Sequence, residues 1–522
     1  MKRAETASIP ELFQQTVSQY PDHVAIRFGG RDITFSEVDK QSDLVAASLI
    51  KRGIKPQERI ALYCVNSDIF AIAYLGIVKA GATVVPINLL LNPKEIEYIL
   101  NDAEVKGLIY HEAFAASVSA FRESVPDLTF CVHIGQGRSG EQDISWSDLL
   151  TSASSFTGIT IDPKDYVASI IYTSGTTGKP KGAMLTHRNL VSNTGGVFEA
   201  VKIVPDQDVL LVVLPMFHAF AATVGMLLPL LRGCAFIPVP KFDPELVVNA
   251  IADGKATIFL GVPSMYNVLL NLSDDHINKL SSLRFCISGG AAMPQELMKR
   301  FEERFGILIY EGDGPTECSP VTAVNPIEGV RKPASIGIPI PGVEMSIRNP
   351  EGKEVPVKDI GEICVRGPNI MKGYWNRAEE TAEAFFNDWF RTGDLGYQDE
   401  DGYFYIIDRI KDMIIVNGMN VYPRVIEEVL YQYEPVKEAA VVGEPNELHG
   451  EIIIAYIVLK DGVSATSADI RSFCRENLGR HQIPKKVFFL KELPKNAAGK
   501  ILKRELRKHG EIERGIDSRE PD

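Results

Sequence analysis

The sequence predicts an α/β protein whose large N-terminal domain, built of mostly parallel sheets flanked by helices, carries a small β-rich subdomain and is followed by a small α+β C-terminal domain. Three observations predict it. Apolar, β-branched runs such as VASIIYT (167–173), ATIFLGV (256–262) and LRFCISGG (283–290) alternate with helix-like segments such as PQELMKRFEERFG (294–306), the rhythm of βαβ units. From about residue 334 to 408 short strands separated by glycine-containing turns replace that rhythm, in MSIRNPEGKEVP, GEICVRGP and GYFYIIDR. Beyond DRIKDMIIVNGMNVYPRVIEEVL the pattern becomes helix, strand, strand, helix.

At 522 residues the chain exceeds what one hydrophobic core supports, so at least two domains are expected. The charged stretch from Arg409 to Asp412 is the predicted boundary, with residues 1–408 before it and 413–522 after it. In parallel sheets catalytic loops sit at the carboxyl ends of strands, which directs attention to the residues that follow each apolar run.

A formal net charge of -13 excludes a general nucleic-acid binder, which needs clustered Lys and Arg. One local exception lies between Lys491 and Lys508, where seven basic residues face only Glu492 and Glu505; it reads as a solvated face or as an anion site. Seven scattered cysteines without a CxxC pair suit a reducing cytosol. The N-terminus, MKRAETASIPELFQQ, has no apolar core, so no secretory signal and a cytoplasmic location are expected. Residues 209–231 are long and apolar enough to suggest a membrane span, but Pro215 and Pro229 favour a buried strand feeding a buried helix from about Ala219. Peripheral membrane contact and a homodimer stay open.

The sharpest local signal is YTSGTTGKPKG, Tyr172 to Gly182, directly after an apolar strand. Three glycines, two lysines and four hydroxyl residues make a pliant backbone rich in donors, suited to phosphate oxygens, although a bare glycine-rich loop is also a common surface turn. A Walker P-loop is excluded by spacing, because Gly175 and Gly178 are separated by two residues and Pro180 follows Lys179. The full string resembles the phosphate-binding signature of the adenylate-forming superfamily, which includes acyl-CoA synthetases, luciferase and peptide synthetase adenylation domains. Further strings of that family follow in order: PMFHAF (215–220), GVPSMY (261–266), SGGAAM (288–293), EGDGPTE (311–317), GEICVRGPNIMKGYW (361–375), WFRTGDLG (389–396), DRIKDMIIVNGMNVYP (408–423) and PKNAAGK (494–500). The chain looks most like bacterial fatty acyl-CoA synthetases.

The resemblance implies ATP, Mg²⁺ and coenzyme A as cosubstrates and cofactor, and it implies roles residue by residue. Thr173, Ser174, Gly175, Thr176, Thr177, Gly178 and Lys179 would form the loop over the β- and γ-phosphates. Thr316 would bond the α-phosphate, and Glu317, with Thr176, would hold Mg²⁺; the bland alternative for Glu317 is a helix cap. Gly289, Gly290 and Ala291 would line the adenine slot, with Glu311, Gly312 and Asp313 completing the ATP site. Asp394 would clamp the ribose hydroxyls with Arg409 beside it, or else be a turn residue after Gly393. Lys500 would be the catalytic lysine, or one more member of the basic patch. Lys411 would be the hinge within 409–412 of a mobile C-terminal domain, bringing Gly418 to the coenzyme A tunnel. His218 would gate or position the acyl and thiol route, its default reading being a buried, hydrogen-bonded histidine.

Three positions depart from the family pattern. Asp313 stands where an aromatic usually stacks on adenine, Asn417 replaces the first glycine of a Gly-Gly pair, and Gln482 stands where many relatives have lysine. The acyl pocket is placed around Phe217, Gly261, Val262, Pro263, Gly289 and Pro320, apolar or small, which favours a medium- or long-chain fatty acid. An aryl acid of the coumarate or benzoate type, or loading of an acyl carrier protein, are the competing readings.

Overall fold

The structure, a computed structural model, describes residues 7–152, 156, 158–173, 179–446, 448–496 and 499–507. Two large sheets organise its first part. In the nine-stranded sheet five parallel pairings run from Ile309–Asp313 through Phe285–Ser288, Ile258–Gly261, Val209–Val212 and Ala235–Pro238 to Val24–Phe28, with antiparallel strands at both edges. In the eight-stranded sheet Val167–Thr173, Thr83–Pro86, Arg59–Tyr63, Val105–His111, Phe130–Ile134 and Ile144–Ser145 are parallel neighbours. Central strands such as Ile258–Gly261 and Phe285–Ser288 are buried throughout, which is why they read as unbroken apolar runs. The helix Gln295–Phe305 buries Leu297, Met298 and Phe301 and ends at Gly306 in the left-handed conformation that glycine tolerates.

Residues 209–231 behave as a buried segment. The strand Val209–Val212 ends before Pro215, and the helix that follows begins as a π-helical stretch, Ala221–Leu227, before turning α over Leu228–Arg232 with Pro229 in its first turn. Every residue from Ala221 to Leu231 is buried. No helix among the described residues is long and apolar enough to cross a membrane. All seven cysteines are buried free thiols.

An antiparallel sheet of Glu344–Arg348, Gly361–Arg366, Phe385–Phe386, Trp389–Gln398 and Phe404–Arg409 forms the β-rich part. One short strand from this stretch, Gly373–Tyr374, leaves it and pairs with Lys181–Thr186 at the edge of the eight-stranded sheet. The final sheet contains the hairpin Ile414–Val416/Met419–Val421, the long pair Val436–Asn446/Gly450–Leu459, and Lys486–Phe489, which joins in parallel. Helices Pro423–Gln432 and Ser467–Asn477 cover one face, burying Val441, Ala455 and Ile457; Ala440, Ile454 and Tyr456 point to the other face, against Leu493 and Leu506. Burial on both faces explains the unbroken run IIIAYIVL.

Candidate active site

The site gathers at strand ends, as parallel-sheet logic requires. Strand Val167–Thr173 carries Thr173 to its carboxyl end, paired antiparallel with Lys181–Thr186, so a strand and not a helix follows the glycine-rich loop, as Pro180 anticipates. Ser174, Gly175, Thr176, Thr177 and Gly178 lie outside the described residues. At the loop's far end the Lys179 ammonium sits 5.4 Å over the Tyr98 ring. The Thr173 hydroxyl donates to Glu317 Oε1 at 3.4 Å, although 144 residues separate them in sequence.

Thr316 and Glu317 occupy a short 3-10 turn, Thr316–Cys318, after strand Ile309–Asp313. The turn is braced from behind: Cys318 O accepts from Asn369 Nδ2 at 2.9 Å, and Asn193 Nδ2 donates to Val321 O at 2.7 Å. A Cβ on Gly314 would come within 1.8 Å of Pro320 O, so only glycine lets the two arms of this loop meet. The helix-cap reading of Glu317 fails, since its carboxylate bonds Thr173 and Tyr374. One carboxylate beside a hydroxyl fits Mg²⁺, which takes one or two protein oxygens and fills its shell with phosphate oxygens and water. Among the described residues no cluster of three or more His, Cys, Asp or Glu would suit a more heavily chelated metal.

Asp394 and Arg409 are cross-strand partners, joined by an ion pair of 3.1 Å with Asp394 buried. That buried acid raises the Arg409 pKa, burial opposes it, and the charges of Asp313, Asp412 and Glu317 add to the rise. Lys500 enters the same space from the C-terminal part. Burial, with Arg409 second, lowers its pKa to about 8, while Asp394 and Asp313 pull the other way. His218 is also within electrostatic reach of Lys500; burial lowers its pKa to about 4, and its Nδ1 accepts the Phe220 N–H at 3.4 Å, so it is neutral at pH 7.

Asn496 Oδ1 accepts the Lys500 N–H at 2.8 Å, and Gly499 has φ +78°. A Cβ on Gly499 would come within 2.7 Å of Ser264 Oγ and 3.0 Å of Val262 Cγ2, so Gly499 lies directly against the Val262–Ser264 segment. Ser264 Oγ donates to Gly499 O at 3.5 Å.

Gly289 and Gly290 follow Ser288, whose register partner in the next strand is Glu311, so SGGA and EGD stand side by side. Gly290 has φ +76°, with a Cβ there meeting only Val262 Cγ1 at 3.8 Å, and a Cβ on Gly289 would sit 3.2 Å from the Phe220 ring. This is a slot that a side chain would fill, and Ala291 continues its edge. Gly312 is closed off behind by Ala323 O at 3.0 Å. Glu311 is buried; its Oε1 accepts the Met293 N–H at 3.1 Å, its Oε2 has no partner among the described residues, and burial raises its pKa to about 7. Burial, then the Asp394 charge, raise Asp313 to about 6.

Phe217 and Val262 are buried, Pro320 is buried, and Gly261 is bounded by Tyr266 at 2.9 Å, so the residues placed at the acyl pocket present apolar surface. Lys411 lies in the exposed 3-10 turn Ile410–Asp412. Gly418 is not gathered with the others; it is an exposed hairpin tip where an added Cβ would meet nothing within 4 Å. Asn417 and Gly418 have φ +52° and +77°, the two left-handed positions of a tight hairpin turn, which accounts for asparagine where a glycine is common. Gln482 bonds the Gly479 N–H at 3.1 Å and so closes its own turn.

Tyr374 carries no role in the sequence reading, yet its hydroxyl donates to Glu317 Oε1 at 2.8 Å. The string GEICVRGPNIMKGYW contained it; only the return of Gly373–Tyr374 to the other sheet reveals its partner.

Carboxylates, cations and hydroxyls from distant parts of the chain meet in this α/β fold, and comparison with known proteins gives the family. The model of the AMP-binding enzyme family matches residues 13–375, and that of the AMP-binding enzyme C-terminal domain matches residues 425–500. This chain belongs to the family of AMP-binding enzymes. It is 37% identical to a long-chain-fatty-acid–CoA ligase of Bacillus subtilis (strain 168), with 96% of this chain and 94% of that protein covered. Among solved structures, ATP-bound MatB from Rhodopseudomonas palustris superposes with a TM-score of 0.88 at 33% identity, covering 96% of this chain and 99% of MatB. The anthranilate CoA ligase AuaEII, in complex with anthranoyl-AMP, superposes with a TM-score of 0.92 at 29% identity and 98% coverage of both chains.

Asp313 supplies a first test. A tyrosine here would supply the stacking surface that Asp313 lacks, worth about 1 kcal/mol, so Asp313→Tyr leaves activity intact and does not raise the KM for ATP. A tenfold rise, measured by pyrophosphate release at varied ATP, refutes it.

Proposed function

We propose that this enzyme is an ATP-dependent, AMP-forming acid–CoA ligase of the cytoplasm whose acid is a medium- or long-chain fatty acid. The observation that carries the reading is that Thr173 bonds Glu317 and Arg409 pairs with Asp394, with Lys500 within electrostatic reach of that pair, so that groups from four separate parts of the chain are brought together. Joining a carboxylate to a nucleotide phosphate brings two anions together, so the site must supply positive charge and fixed donors where charge builds up.

In the first half-reaction a carboxylate oxygen attacks the α-phosphorus, the bond to the bridging oxygen breaks, and pyrophosphate leaves. Lys500 meets the carboxylate and α-phosphate, Thr316 donates to the α-phosphate, and Asp394 holds the ribose with Arg409 alongside. Mg²⁺, held by Glu317 and a loop hydroxyl, would neutralise phosphate charge when bound. In the second half-reaction the coenzyme A sulfur attacks the acyl carbonyl, AMP leaves with the bonding pair, and the thiol proton passes to solvent. Rotation at Lys411 would withdraw Lys500 and bring Gly418 in.

A fatty acid is favoured by the buried Phe217 and Val262 at the acyl pocket and by the long-chain ligase among the relatives. AuaEII, with a flat aryl group on its adenylate, supports an aryl acid as the second reading. Pyrophosphate release across C2 to C18 fatty acids and several aryl acids, with free coenzyme A, tests both. The expected result is highest kcat/KM at C8 or longer; a preference for benzoate- or coumarate-like acids overturns the fatty-acid assignment, and no release with any acid overturns the ligase.

A further inference from the structure

Glu317 is held in place by a segment remote from the nucleotide loop. The backbone of 371–375 is fixed onto strand Lys181–Thr186: Lys372 N–H donates to Met184 O at 2.9 Å, Trp375 N–H to Gly182 O at 2.8 Å, and Met371 N–H to the Glu317 carbonyl at 2.8 Å. The Tyr374 N–H in turn donates to Thr381 Oγ1 at 2.9 Å. From this anchored strand the Tyr374 hydroxyl donates to Glu317 Oε1 at 2.8 Å, and the Thr173 hydroxyl reaches the same oxygen at 3.4 Å. The Lys181 ammonium lies 5.4 Å over the Tyr374 ring, fixing its plane. Both donors known among the described residues thus converge on Oε1.

We propose that Tyr374 is a positioning residue of the metal site: its hydroxyl takes one oxygen of Glu317 and so turns the other, Oε2, toward a divalent cation carried by the nucleotide. This rests on the metal role of Glu317 given above. A carboxylate free to rotate loses orientation when it meets a cation, and a hydrogen bond from a fixed ring removes that freedom beforehand. Tyr374 would serve the first half-reaction only, because the pyrophosphate whose charge such a cation would neutralise is released in that step.

The test uses Tyr374→Phe in the full chain, which keeps the ring and its packing on Lys181. Mn²⁺ binding in the presence of a non-hydrolysable ATP analogue, followed by the loss of the free Mn²⁺ paramagnetic resonance signal, weakens about tenfold, the lower end for loss of an outer partner of a metal ligand. The Mg²⁺ concentration giving half-maximal pyrophosphate release rises by about the same factor, while conversion of supplied acyl-adenylate to thioester stays within about twofold of the parent. Unchanged Mn²⁺ affinity and Mg²⁺ requirement overturn the inference. So does an equal fall in both half-reactions together with Tm, which marks a merely structural contact. Glu317→Gln serves as the reference: if it binds Mn²⁺ like the parent, the metal role falls and Tyr374 with it. Should the parent release no pyrophosphate with any acid, the ligase reading fails, and the Mn²⁺ measurement still decides the clamp.

Discussion

Lys500→Ala loses adenylate formation by about 10²-fold or more, the scale of a deleted transition-state donor, yet still converts supplied acyl-adenylate to thioester. The substitution removes the ammonium and little else. The Lys500 backbone is held by Asn496, whose side chain accepts the Lys500 N–H at 2.8 Å and whose own N–H donates to Lys500 O at 2.9 Å. Gly499 keeps its contact with Ser264 whatever side chain follows. Measured pyrophosphate release and thioester formation therefore separate a chemical role from membership of a basic patch. Equal loss of both half-reactions contradicts the assignment.

A pH arm sharpens the same test. Burial and the neighbouring Arg409 and Lys411 bring the Lys500 pKa down to about 8, against the pull of Asp394 and Asp313. The active form is the cation, so kcat/KM for adenylation is full below this value and falls as pH rises through it, approaching tenfold per unit at higher pH. His218 cannot supply that limb, because at a pKa of about 4 it is already neutral. Lys500→Arg, whose guanidinium stays charged, loses the limb even where its rate is low.

Where the sequence was legible, one local signal sufficed. VASIIYT coincides with strand Val167–Thr173, and the PQELMKRFEERFG run is helix Gln295–Phe305, because buried strands and amphipathic helices leave periodic marks in their own residues. The hairpin at Asn417-Gly418 went unread, because its strands, three residues each, were too short to stand out. Strand Lys486–Phe489 escaped notice because its identity depends on the partner, Gly450–Leu459, more than on its own alternation. At the site, ordered strings located Glu317, Asp394 and Lys500, whereas the bond from Tyr374 to Glu317 spans 57 residues and crosses from one sheet to another. The surroundings of Asp313 are of the same kind: a carboxylate facing Asp394, Arg409 and Lys500 is a property of three distant segments meeting, which no substring contains.

Lys411→Pro blocks thioester formation by about 10²-fold or more, the cost of a misplaced reacting group, while sparing adenylation. The turn Ile410–Asp412 is 3-10 helical, a conformation whose φ near −60° proline already adopts, so the adenylation arrangement accepts the ring. Rotation to a second arrangement requires φ at the hinge to change, and the ring forbids it. The turn is gripped on both sides and free in the middle. Arg409 is paired with Asp394 at 3.1 Å, Asp412 is paired with Arg507 at 2.8 Å, and the exposed Lys411 side chain forms no hydrogen bond or ion pair among the described residues. Beside the hinge, Arg424 donates its N–H to Asp408 Oδ2 at 2.9 Å and its guanidinium to Ile406 O at 2.7 Å, whereas contacts farther from it are long, with Asn267 Nδ2 to Lys437 O at 3.3 Å, Gln295 N–H to Glu428 Oε2 at 3.4 Å and Ser264 Oγ to Gly499 O at 3.5 Å, so the resistance to movement is concentrated next to the hinge. Gly418, exposed and away from the nucleotide residues here, reaches the thiol route only if that movement occurs. Thioester yield from supplied acyl-adenylate is the decisive measurement, with Lys411→Ala as the companion that keeps φ free. If Lys411→Pro completes both steps at the parent's rate, the hinge lies elsewhere.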